Sequence, residues 1–424
     1  MDKLENRPVT TDSRDCPEGS VFFALKGDNF NGNQYAQSAL DKGCAYAVID
    51  EEQYAVPGDD RYIIVPDVLK ALQEHARDHR RRLGTPIIGI TGTNGKTTTK
   101  ELIAAVLSKK FNVLYTQGNF NNHIGVPKTL LRLTPEHDIA VVEMGANHPG
   151  EIETLVNIAE PNYGLITNVG KAHLEGFGSF EGVKKTKGEL YDYLRAHGGK
   201  VFLDTDNPHL VGMWGNHPSL PYLHGTLLAC DPYLQFTIDF PSFTPSSTPV
   251  PLSPLTSHLV GSYNLTNMLA AATVGLHFGV SPEDICQALS EYVPSNNRSQ
   301  LTQTEHNRLI IDAYNANPTS MMAALQNFAL ITVLEPKMCI LGDMGELGDV
   351  SHAEHQKVVD YLVEQGLTDV WLIGKEFAGT QCPFRKFPDA DAVKEALHAE
   401  QPQGKLILVK GSHSTRTYEL PPLL

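Results

Sequence analysis

The stretch from Pro86 to Phe111 constrains the fold of this chain more than any other, because it joins an apolar run to a helical pattern through a glycine-bearing turn. The run, residues 86–90, is typical of a short buried strand. After the turn, Leu102, Ile103 and Val106 recur at helical spacing. A strand, a turn and a helix in this order predict an α/β domain.

The turn itself predicts phosphate binding. A helix N-terminus offers unpaired N–H groups and the positive end of a dipole, so glycines that let the backbone close around an oxyanion form a phosphate cradle. Lys96 would reach the outer phosphates, and Thr97 would hold Mg²⁺. The usual P-loop has a further glycine where this chain has Ile90, so the match is to a shorter variant. The alternative is a turn that merely connects strand to helix. The residues of the turn are Gly92, Thr93, Asn94, Gly95, Lys96, Thr97 and Thr98.

Composition limits the classes of partner. The net charge of -15 argues against a nucleic-acid or anionic-membrane surface and favours small anionic substrates that are held locally. The 6 cysteines have no C-x-x-C spacing, so neither a zinc site nor a disulfide framework is indicated. Residues 1–7 lack an apolar signal core, and no run approaches the roughly 18 apolar residues of a membrane helix. We therefore expect a cytoplasmic protein without a membrane span.

The pattern along the 424 residues predicts an α/β protein with three domains. Residues 1–83 carry short strand-like runs and helical segments, which indicate a small N-terminal α/β substrate domain. Residues 84–293 alternate strands and helices, as expected of a central P-loop ATPase-like domain with a parallel sheet. Within it, the proline-rich residues 204–257 predict a peripheral antiparallel excursion. Residues 294–424 alternate again and predict a C-terminal Rossmann-like α/β domain.

Residues that follow the apolar runs are candidates for the site, because parallel sheets place ligands beyond the carboxyl ends of their strands. Glu143 directly follows a run and could hold Mg²⁺ opposite Thr97, or could serve as a helix N-terminal charge. His173 follows the next run, where a histidine can be structural or a ligand. In the last domain, three polar or glycine-bearing strand ends define one rim that would face a cleft.

Two asparagine-rich segments complete the pattern. Residues 116–127 are too polar and glycine-broken for a regular element and predict a binding loop. Their amides could bind substrate or satisfy the loop's own backbone. Asn264 and Asn267 stand three residues apart on one face of a predicted helix, where an amide pair can read the edge of a planar heterocycle.

The turn at 92–98 resembles the ATP loop of the Mur ligase superfamily, which includes the folylpolyglutamate synthetases. The motifs at 116–127, 314–318 and 341–348 extend the resemblance over nearly the whole chain. They are most similar to the branch that adds D-alanyl-D-alanine to UDP-N-acetylmuramoyl tripeptide. This chain departs from the family pattern at Tyr263, where a histidine is frequent.

The resemblance implies an ATP-dependent, ADP-forming amide ligase. The tripeptide carboxylate would become an acyl phosphate, and the dipeptide amine would attack it to give the pentapeptide precursor of peptidoglycan. The implied cofactors are ATP and Mg²⁺, and the implied partners are UDP-N-acetylmuramoyl-tripeptide and D-alanyl-D-alanine, with no nucleic acid. The protein would act as a monomer.

The resemblance also implies roles for individual residues. The catalytic residues would be Lys96, Lys187, Glu143 and His173. Beyond the turn, ATP would be bound by Asn264, Asn267, Arg298 and Asp312. Mg²⁺ would be held by Thr97, Glu143, His173 and a Lys187 that CO₂ has carbamylated. The substrates would be bound by Ser13, Arg14, Asn119, Asn121, Asn122, Tyr314, Asn315 and Asn317. For Lys187 the residues alone also allow a solvated helix face.

Two other functions are open at this point. The first is another amino-acid-adding Mur ligase, or a ligase like folylpolyglutamate synthetase. The second is a non-enzymatic P-loop nucleotide-binding module. Such a module has no need of a second α/β domain with polar strand ends, so phosphate release that depends on two added substrates would separate a ligase from it.

Overall fold

The computed structural model describes residues 2–5, 7–241, 254–294 and 298–424. Within these ranges, three α/β units follow one another along the chain, and the sheet of each unit contains a run of parallel strands. The predicted fold class is therefore confirmed. None of the helices in the described ranges combines the length and the apolar composition that a membrane span requires.

The N-terminal unit is a small parallel sheet with one long helix packed against it. Its elements are β1 (Val9–Thr10), β2 (Val21–Phe23), β3 (Lys26–Gly27), β4 (Phe30–Asn31), α1 (Ala36–Asp41), β5 (Tyr46–Ile49), β6 (Tyr62–Ile64) and α2 (Val68–Leu83). The sheet order is β1-β2-β5-β6, and β3 pairs with β4 alone. Asp67 caps α2 by accepting from the Lys70 N–H at 2.9 Å, and Gly84, whose φ of 68° is left-handed, follows the last residue of the helix.

The middle unit is a six-stranded parallel sheet, in the order β12-β11-β10-β7-β9-β8, with helices on both faces. Its elements are β7 (Ile87–Thr91), α3 (Lys96–Leu107), β8 (Val113–Tyr115), α4 (Gly125–Leu130), β9 (Ile139–Glu143), α5 (Glu151–Ala159), β10 (Tyr163–Ile166), α6 (Leu174–Phe177), α7 (Phe180–His197), β11 (Lys200–Leu203), α8 (Pro208–Trp214) and β12 (Leu220–Pro221). Ile87 packs into the core on one face, and Ile88 and Ile90 pack into the core on the other. Burial on both faces explains why these strands read as continuous apolar runs.

Three antiparallel strands and two helices connect the middle unit to the last one. They are β13 (Gly225–Cys230), β14 (Tyr233–Ile238), β15 (Leu255–Val260), α9 (Asn264–His277) and α10 (Pro282–Glu291). The antiparallel pairing was expected, and β13 lies at the edge of its sheet as a peripheral strand should. The excursion is not a separate sheet, however, because Leu259 of β15 pairs with Gln300 of the C-terminal sheet. Residues 242–253 of the proline-rich stretch lie outside the described residues.

The C-terminal unit continues that sheet with five parallel strands. Its elements are β16 (Gln300–Gln303), β17 (Arg308–Asp312), α11 (Pro318–Leu330), β18 (Lys337–Gly342), α12 (Ser351–Glu364), β19 (Val370–Ile373), α13 (Lys375–Ala378), β20 (Arg385–Phe387), α14 (Ala390–Ala399) and β21 (Leu406–Lys410). The nine strands run in the order β13-β14-β15-β16-β17-β21-β18-β19-β20. The carboxyl ends of β17 and β21 lie side by side, since Asp312 pairs with Lys410 in register.

One expectation about local structure is wrong in part. Residues 116–127 were expected to be a loop throughout, but α4 begins at Gly125. Asn122 explains the early start, because its Oδ1 accepts from the Ile124 and Gly125 N–H groups at 3.1 and 2.8 Å. The polar residues therefore begin a helix as well as forming a loop.

Candidate active site

A cavity of about 760 Å³ lies where the strand ends of the middle unit meet those of the C-terminal unit. It is lined by most of the residues that the sequence predicts for the site. They are Thr93, Asn94, Gly95, Lys96, Thr97, Thr98, Asn119, Asn121, Asn122, Glu143, His173, Asn264, Asn267, Arg298, Asp312, Tyr314, Asn315 and Asn317. Side chains that stand far apart in sequence thus converge on one concave site, which is the usual form of a small-molecule site.

The loop between β7 and α3 needs its glycines. Gly92 and Gly95 have φ of 145° and 78°, which other residues rarely adopt. A Cβ on Gly95 would lie 2.8 Å from Asn267 Oδ1, and one on Gly92 would lie 2.0 Å from Thr167 Oγ1. Asn168 holds the loop by accepting from the Asn94 N–H at 3.0 Å. The Thr93 N–H donates to the Asn168 carbonyl oxygen at 2.9 Å, so the N–H groups at the start of α3 are the ones available to a phosphate.

Lys96 lies folded over this loop. Its Nζ donates to the carbonyl oxygens of Gly92 and Thr93 at 2.9 and 3.0 Å. Burial lowers the pKa of Lys96 to about 8, while the nearby Glu143 carboxylate opposes that shift. The ammonium group therefore occupies the concave side of the loop, where a phosphate oxygen could replace the carbonyl groups as its partner.

Glu143, at the end of β9, is the central carboxylate of the cavity. Its Oε1 accepts from Thr97 Oγ1 at 3.2 Å and from Asn121 Nδ2 at 2.8 Å. Its Oε2 has no hydrogen-bond partner among the described residues, and faces the Nζ of Lys100 at 3.6 Å. Lys100 is completely buried. Sequence analysis missed this lysine, although it stands four residues after Lys96 and so on the same helix face.

The donor set fits Mg²⁺. The Thr97 hydroxyl and the two Glu143 carboxylate oxygens are hard ligands of the kind that this ion prefers, and one carboxylate oxygen is still unbonded. Across the described ranges, no group of three or more His, Cys, Asp or Glu side chains could hold a metal ion by itself. An ion at Glu143 would therefore need oxygen atoms from a bound phosphate as well, as is usual for Mg²⁺.

His173 reaches the C-terminal unit. Its backbone is left-handed, with φ of 49°, and its Nδ1 contacts Oε2 of Glu346, which follows β18. Burial lowers the pKa of His173, and the Glu346 carboxylate opposes that shift. The predicted metal-side histidine is thus also a contact between two units.

Lys187 is buried on α7, so the alternative of a solvated helix face is wrong. The residue is 2% exposed, its Nζ donates to the Ala146 carbonyl oxygen at 3.1 Å, and it lies 5.2 Å from the centre of the Phe177 ring. Burial, together with the charge of Lys96, lowers the pKa of Lys187 well below its usual 10.5. Lys187 lies behind the wall of the cavity, which Ala146 itself lines.

The two asparagines of α9 form a fixed chain. Asn267 Nδ2 donates to Asn264 Oδ1 at 2.9 Å, and Asn264 Nδ2 donates to the Val260 carbonyl oxygen at 2.9 Å. Asn267 Oδ1 accepts from Thr99 Oγ1 at 3.0 Å, which ties α9 to α3. Because each amide nitrogen carries two hydrogens, both side chains keep a donor for a ligand.

The C-terminal unit supplies the opposite wall. Lys410 Nζ forms an ion pair with Asp312 at 2.5 Å, and Lys410 is 1% exposed. The guanidinium carbon of Arg298 lies 3.8 Å from the centre of the Tyr314 ring. This wall combines a fixed carboxylate with a stacked cation.

Ser13 and Arg14 lie in the N-terminal unit, outside this cavity. Arg14 is exposed and pairs with Asp12, its Nε and Nη2 donating at 2.9 and 2.8 Å. The N-terminal unit reaches the cavity instead through α2, whose Gln73 donates to the His123 carbonyl oxygen at 3.0 Å. A polar residue on a long helix gives no sequence signal of this kind.

Comparison with known families covers most of the chain. Models described as "Mur ligase family, catalytic domain", "Mur ligase middle domain" and "Mur ligase, glutamate ligase domain" match residues 7–80, 90–275 and 297–413. The chain is 34% identical to the UDP-N-acetylmuramoyl-tripeptide--D-alanyl-D-alanine ligase of Bacillus subtilis, over 97% of this chain and 92% of that protein. The ligase of the same name from Escherichia coli is 36% identical, with the same coverage.

Solved structures agree with the sequence relatives. MurF from Acinetobacter baumannii superimposes with a TM-score of 0.83 at 31% identity, covering 97% of this chain and 92% of that one. MurF ligase from Thermotoga maritima in complex with ADP gives a TM-score of 0.86 at 25% identity, covering 100% and 98%. A folylpolyglutamate synthase from Mycobacterium tuberculosis, at 16% identity and a TM-score of 0.60, shares the fold.

Proposed function

The chain belongs to the Mur ligase family, and we propose that it is the ATP-dependent ligase that joins D-alanyl-D-alanine to UDP-N-acetylmuramoyl-tripeptide. One observation carries the proposal: a single cavity places the phosphate loop with Lys96 opposite the Asp312–Lys410 wall of a second α/β unit. A site built from two facing units can hold a nucleotide and an acceptor together. The relatives named for this reaction match almost the whole chain.

The reaction proceeds in two steps. A carboxylate oxygen of the tripeptide attacks the γ-phosphorus of ATP, ADP leaves, and an acyl phosphate forms. The amine of D-alanyl-D-alanine then attacks the acyl carbon, loses a proton, and expels inorganic phosphate. A free carboxylate has oxide as its leaving group, so phosphorylation supplies the good leaving group that amide formation needs.

The side chains around the phosphates neutralise charge. Lys96 exchanges the loop carbonyl groups, its partners in the free protein, for phosphoryl oxygens, and the N–H groups at the start of α3 donate to the same oxygens. Thr97 and Glu143, together with His173, would hold Mg²⁺, and the ion would offset negative charge on the phosphate oxygens. Lys187, as a carbamate, would add an anionic oxygen behind them.

The remaining polar residues of the cavity hold the other ends of the substrates. Asn264 and Asn267 bind the adenine, while Arg298 and Asp312 bind the nucleotide from the facing wall. Ser13 and Arg14 bind the UDP end of the acceptor in the N-terminal unit. The peptide and dipeptide are bound by Asn119, Asn121, Asn122, Tyr314, Asn315 and Asn317. All these residues come from one chain, which supports a monomer, and the use of ATP supports a cytoplasmic reaction.

The decisive experiment offers several amines to one acceptor. The protein is incubated with ATP, Mg²⁺ and UDP-N-acetylmuramoyl-tripeptide carrying either lysine or diaminopimelate, and the products are identified by mass. We expect the pentapeptide product and equimolar ADP when D-alanyl-D-alanine is present, and neither without it. Equal product from a single amino acid would assign another member of the family, and ATP hydrolysis indifferent to every amine would remove the ligase assignment.

A further inference from the structure

Tyr263 separates the nucleotide cavity from a second cavity. It lines the main cavity and also an adjoining one of about 630 Å³ on the outer side, between α9, α11 and α12. Ala323 is the other residue that lines both. Because alanine has a short side chain, the bulk of this partition is the tyrosine ring.

The ring is held in place at its hydroxyl end. Gly261 lies directly beneath that end: a Cβ on Gly261 would stand 2.3 Å from Cε1 and 2.8 Å from the hydroxyl oxygen, so the glycine is needed for the ring to lie there. The hydroxyl itself shares a hydrogen bond of 3.0 Å with Ser299 Oγ, and Ser299 is buried. The side chain therefore has little freedom to swing out of the partition.

Tyr263 lies next to the two asparagines that we propose bind the adenine base. Asn264 follows it directly, and Asn267 stands one turn further along α9. An asparagine amide pairs with adenine by accepting from N6 and donating to N7. Both side-chain oxygens already accept one hydrogen bond, so each keeps its second lone pair for N6. A base read by Asn264 would then present its N6 edge to the start of α9. The start of α9 is where the tyrosine ring stands.

From this arrangement we propose that Tyr263 determines specificity at the base: it closes the pocket behind N6 and excludes adenine nucleotides that carry a bulky N6 substituent. The inference rests on the proposed function and refines its nucleotide site. The histidine that is frequent at this position in the family has a smaller ring and lacks the para hydroxyl that bonds Ser299. With a shorter side chain here, the two cavities join and the substituent gains room.

The test compares ATP with N6-benzyl-ATP in the ligation assay. It uses three proteins: the unsubstituted (wild-type) enzyme, Tyr263→Ala and Tyr263→Phe. The measured quantity is the ratio of kcat/KM for N6-benzyl-ATP to that for ATP. We expect Tyr263→Ala to raise this ratio about tenfold or more, the scale on which an apolar pocket discriminates by size. Tyr263→Phe keeps the ring and loses the bond to Ser299, so its ratio should stay near that of the unsubstituted enzyme.

Several results would overturn the inference while leaving the ligase assignment intact. They are an unsubstituted enzyme that uses both nucleotides equally, an alanine variant with an unchanged ratio, and a phenylalanine variant whose ratio rises as much as that of alanine. If the alanine variant does not turn over ATP, the rise in thermal midpoint that each nucleotide produces gives the same comparison. Stabilisation by ATP but not by N6-benzyl-ATP in that variant would also overturn it. Absence of ligation by the unsubstituted enzyme with ATP would instead count against the proposed function.

Discussion

The side-chain amide of Asn317 donates a hydrogen bond to Oδ1 of Asn94 at 2.7 Å, and so joins the start of α11 to the phosphate loop. The contact joins the middle and C-terminal units, and the two asparagines are 223 residues apart in the sequence. With the pair formed by His173 and Glu346, it closes the C-terminal unit onto the nucleotide site. Closure of this kind keeps water away from an acyl phosphate.

Asn317 allows the contact between units to be tested separately from its helix cap. Its own Oδ1 caps α11 by accepting from the Ser320 N–H at 2.9 Å. Asn317→Ser keeps a capping oxygen but loses the amide donor, so we expect a KM for ATP several-fold higher, from a loss of about 1 kcal/mol, with little change in thermal midpoint. Asn317→Ala loses the cap too and should lower the midpoint. A serine variant with an unchanged KM would show that the bond to Asn94 is absent from the nucleotide-bound enzyme.

Removal of the loop lysine should stop the chemistry without unfolding the protein. Lys96 contacts only its own loop by hydrogen bonds in the described structure, so Lys96→Ala should leave the far-UV circular dichroism unchanged. Loss of a cation aimed at developing phosphoryl charge should cost about 2.7 to 4 kcal/mol, a hundredfold or more in rate. Lys109→Ala, just beyond the end of α3, is the matched control. Near-normal turnover by the Lys96 variant would show that the loop only connects β7 to α3 and does not bind phosphate.

The same lysine predicts a pH dependence of nucleotide binding. Burial lowers the pKa of Lys96 to about 8, so the free protein loses this cation as pH rises through that value. Binding of the ATP phosphates restores the proton, and the affinity should therefore fall between pH 7 and pH 9 with proton uptake near pH 8. Calorimetry in buffers of different ionisation enthalpy measures that uptake. Lys96→Arg stays charged and should bind without it; equal uptake by both proteins would assign the proton to another group.

Sequence reasoning succeeded where the signal is local. The glycines at 92 and 95 and the apolar runs that became β7, β9 and β10 are dictated by backbone conformation and burial over a few residues. These features locate the turn at 92–98 and the strand-end carboxylate Glu143 from the sequence alone. The convergence of most predicted residues on one cavity follows from the rule for the ends of parallel strands.

What the sequence missed depends on contacts between distant segments. Lys100 is a charged residue on a helix and is typical of a solvated face, yet it is buried against Glu143, 43 residues away by number. The pairing of β15 with β16 joins the sheet of the last unit to strands that were expected to be peripheral, and no local pattern encodes it. The partner of His173 lies in another unit for the same reason.

The buried pair of Glu143 and Lys100 predicts a stability effect. Glu143→Gln keeps the shape of the side chain but leaves the buried ammonium without this counter-charge, which should cost about 3 kcal/mol even with Glu101 at 3.8 Å. Adding Lys100→Met removes the uncompensated charge and should recover most of the loss. Thermal midpoints of the single and double variants measure this. The exposed pair of Lys109 and Glu291 is the control, because its removal should leave the midpoint unchanged. A double variant as unstable as Glu143→Gln alone would show that the charges of Glu143 and Lys100 do not stabilise each other.

The burial of Lys187 favours the carbamate that we propose for this residue. A carbamate forms from a neutral amine and CO₂, and the buried position of Lys187 lowers its pKa well below the usual 10.5, which favours the neutral form. A carbamate replaces a cation that would repel Mg²⁺ and Lys96 with an anion that both attract. The Ala146 carbonyl oxygen, 3.1 Å from Nζ, could still accept from the N–H of the carbamate.

We therefore expect Lys187→Met, which retains most of the volume, to lose most of the ligation activity while it still binds ATP. Lys187→Ala should lose it equally, but should regain part of it when acetate is added, because the acid can enter the vacated space and restore a carboxylate. Nuclear magnetic resonance with ¹³C-labelled bicarbonate provides a readout that does not depend on activity: a protein-bound carbamate carbon should be visible in the unsubstituted enzyme and absent from both variants. A fully active methionine variant together with no carbamate signal would reduce Lys187 to a buried structural lysine, whose ammonium or amine does no more than donate to the Ala146 carbonyl oxygen.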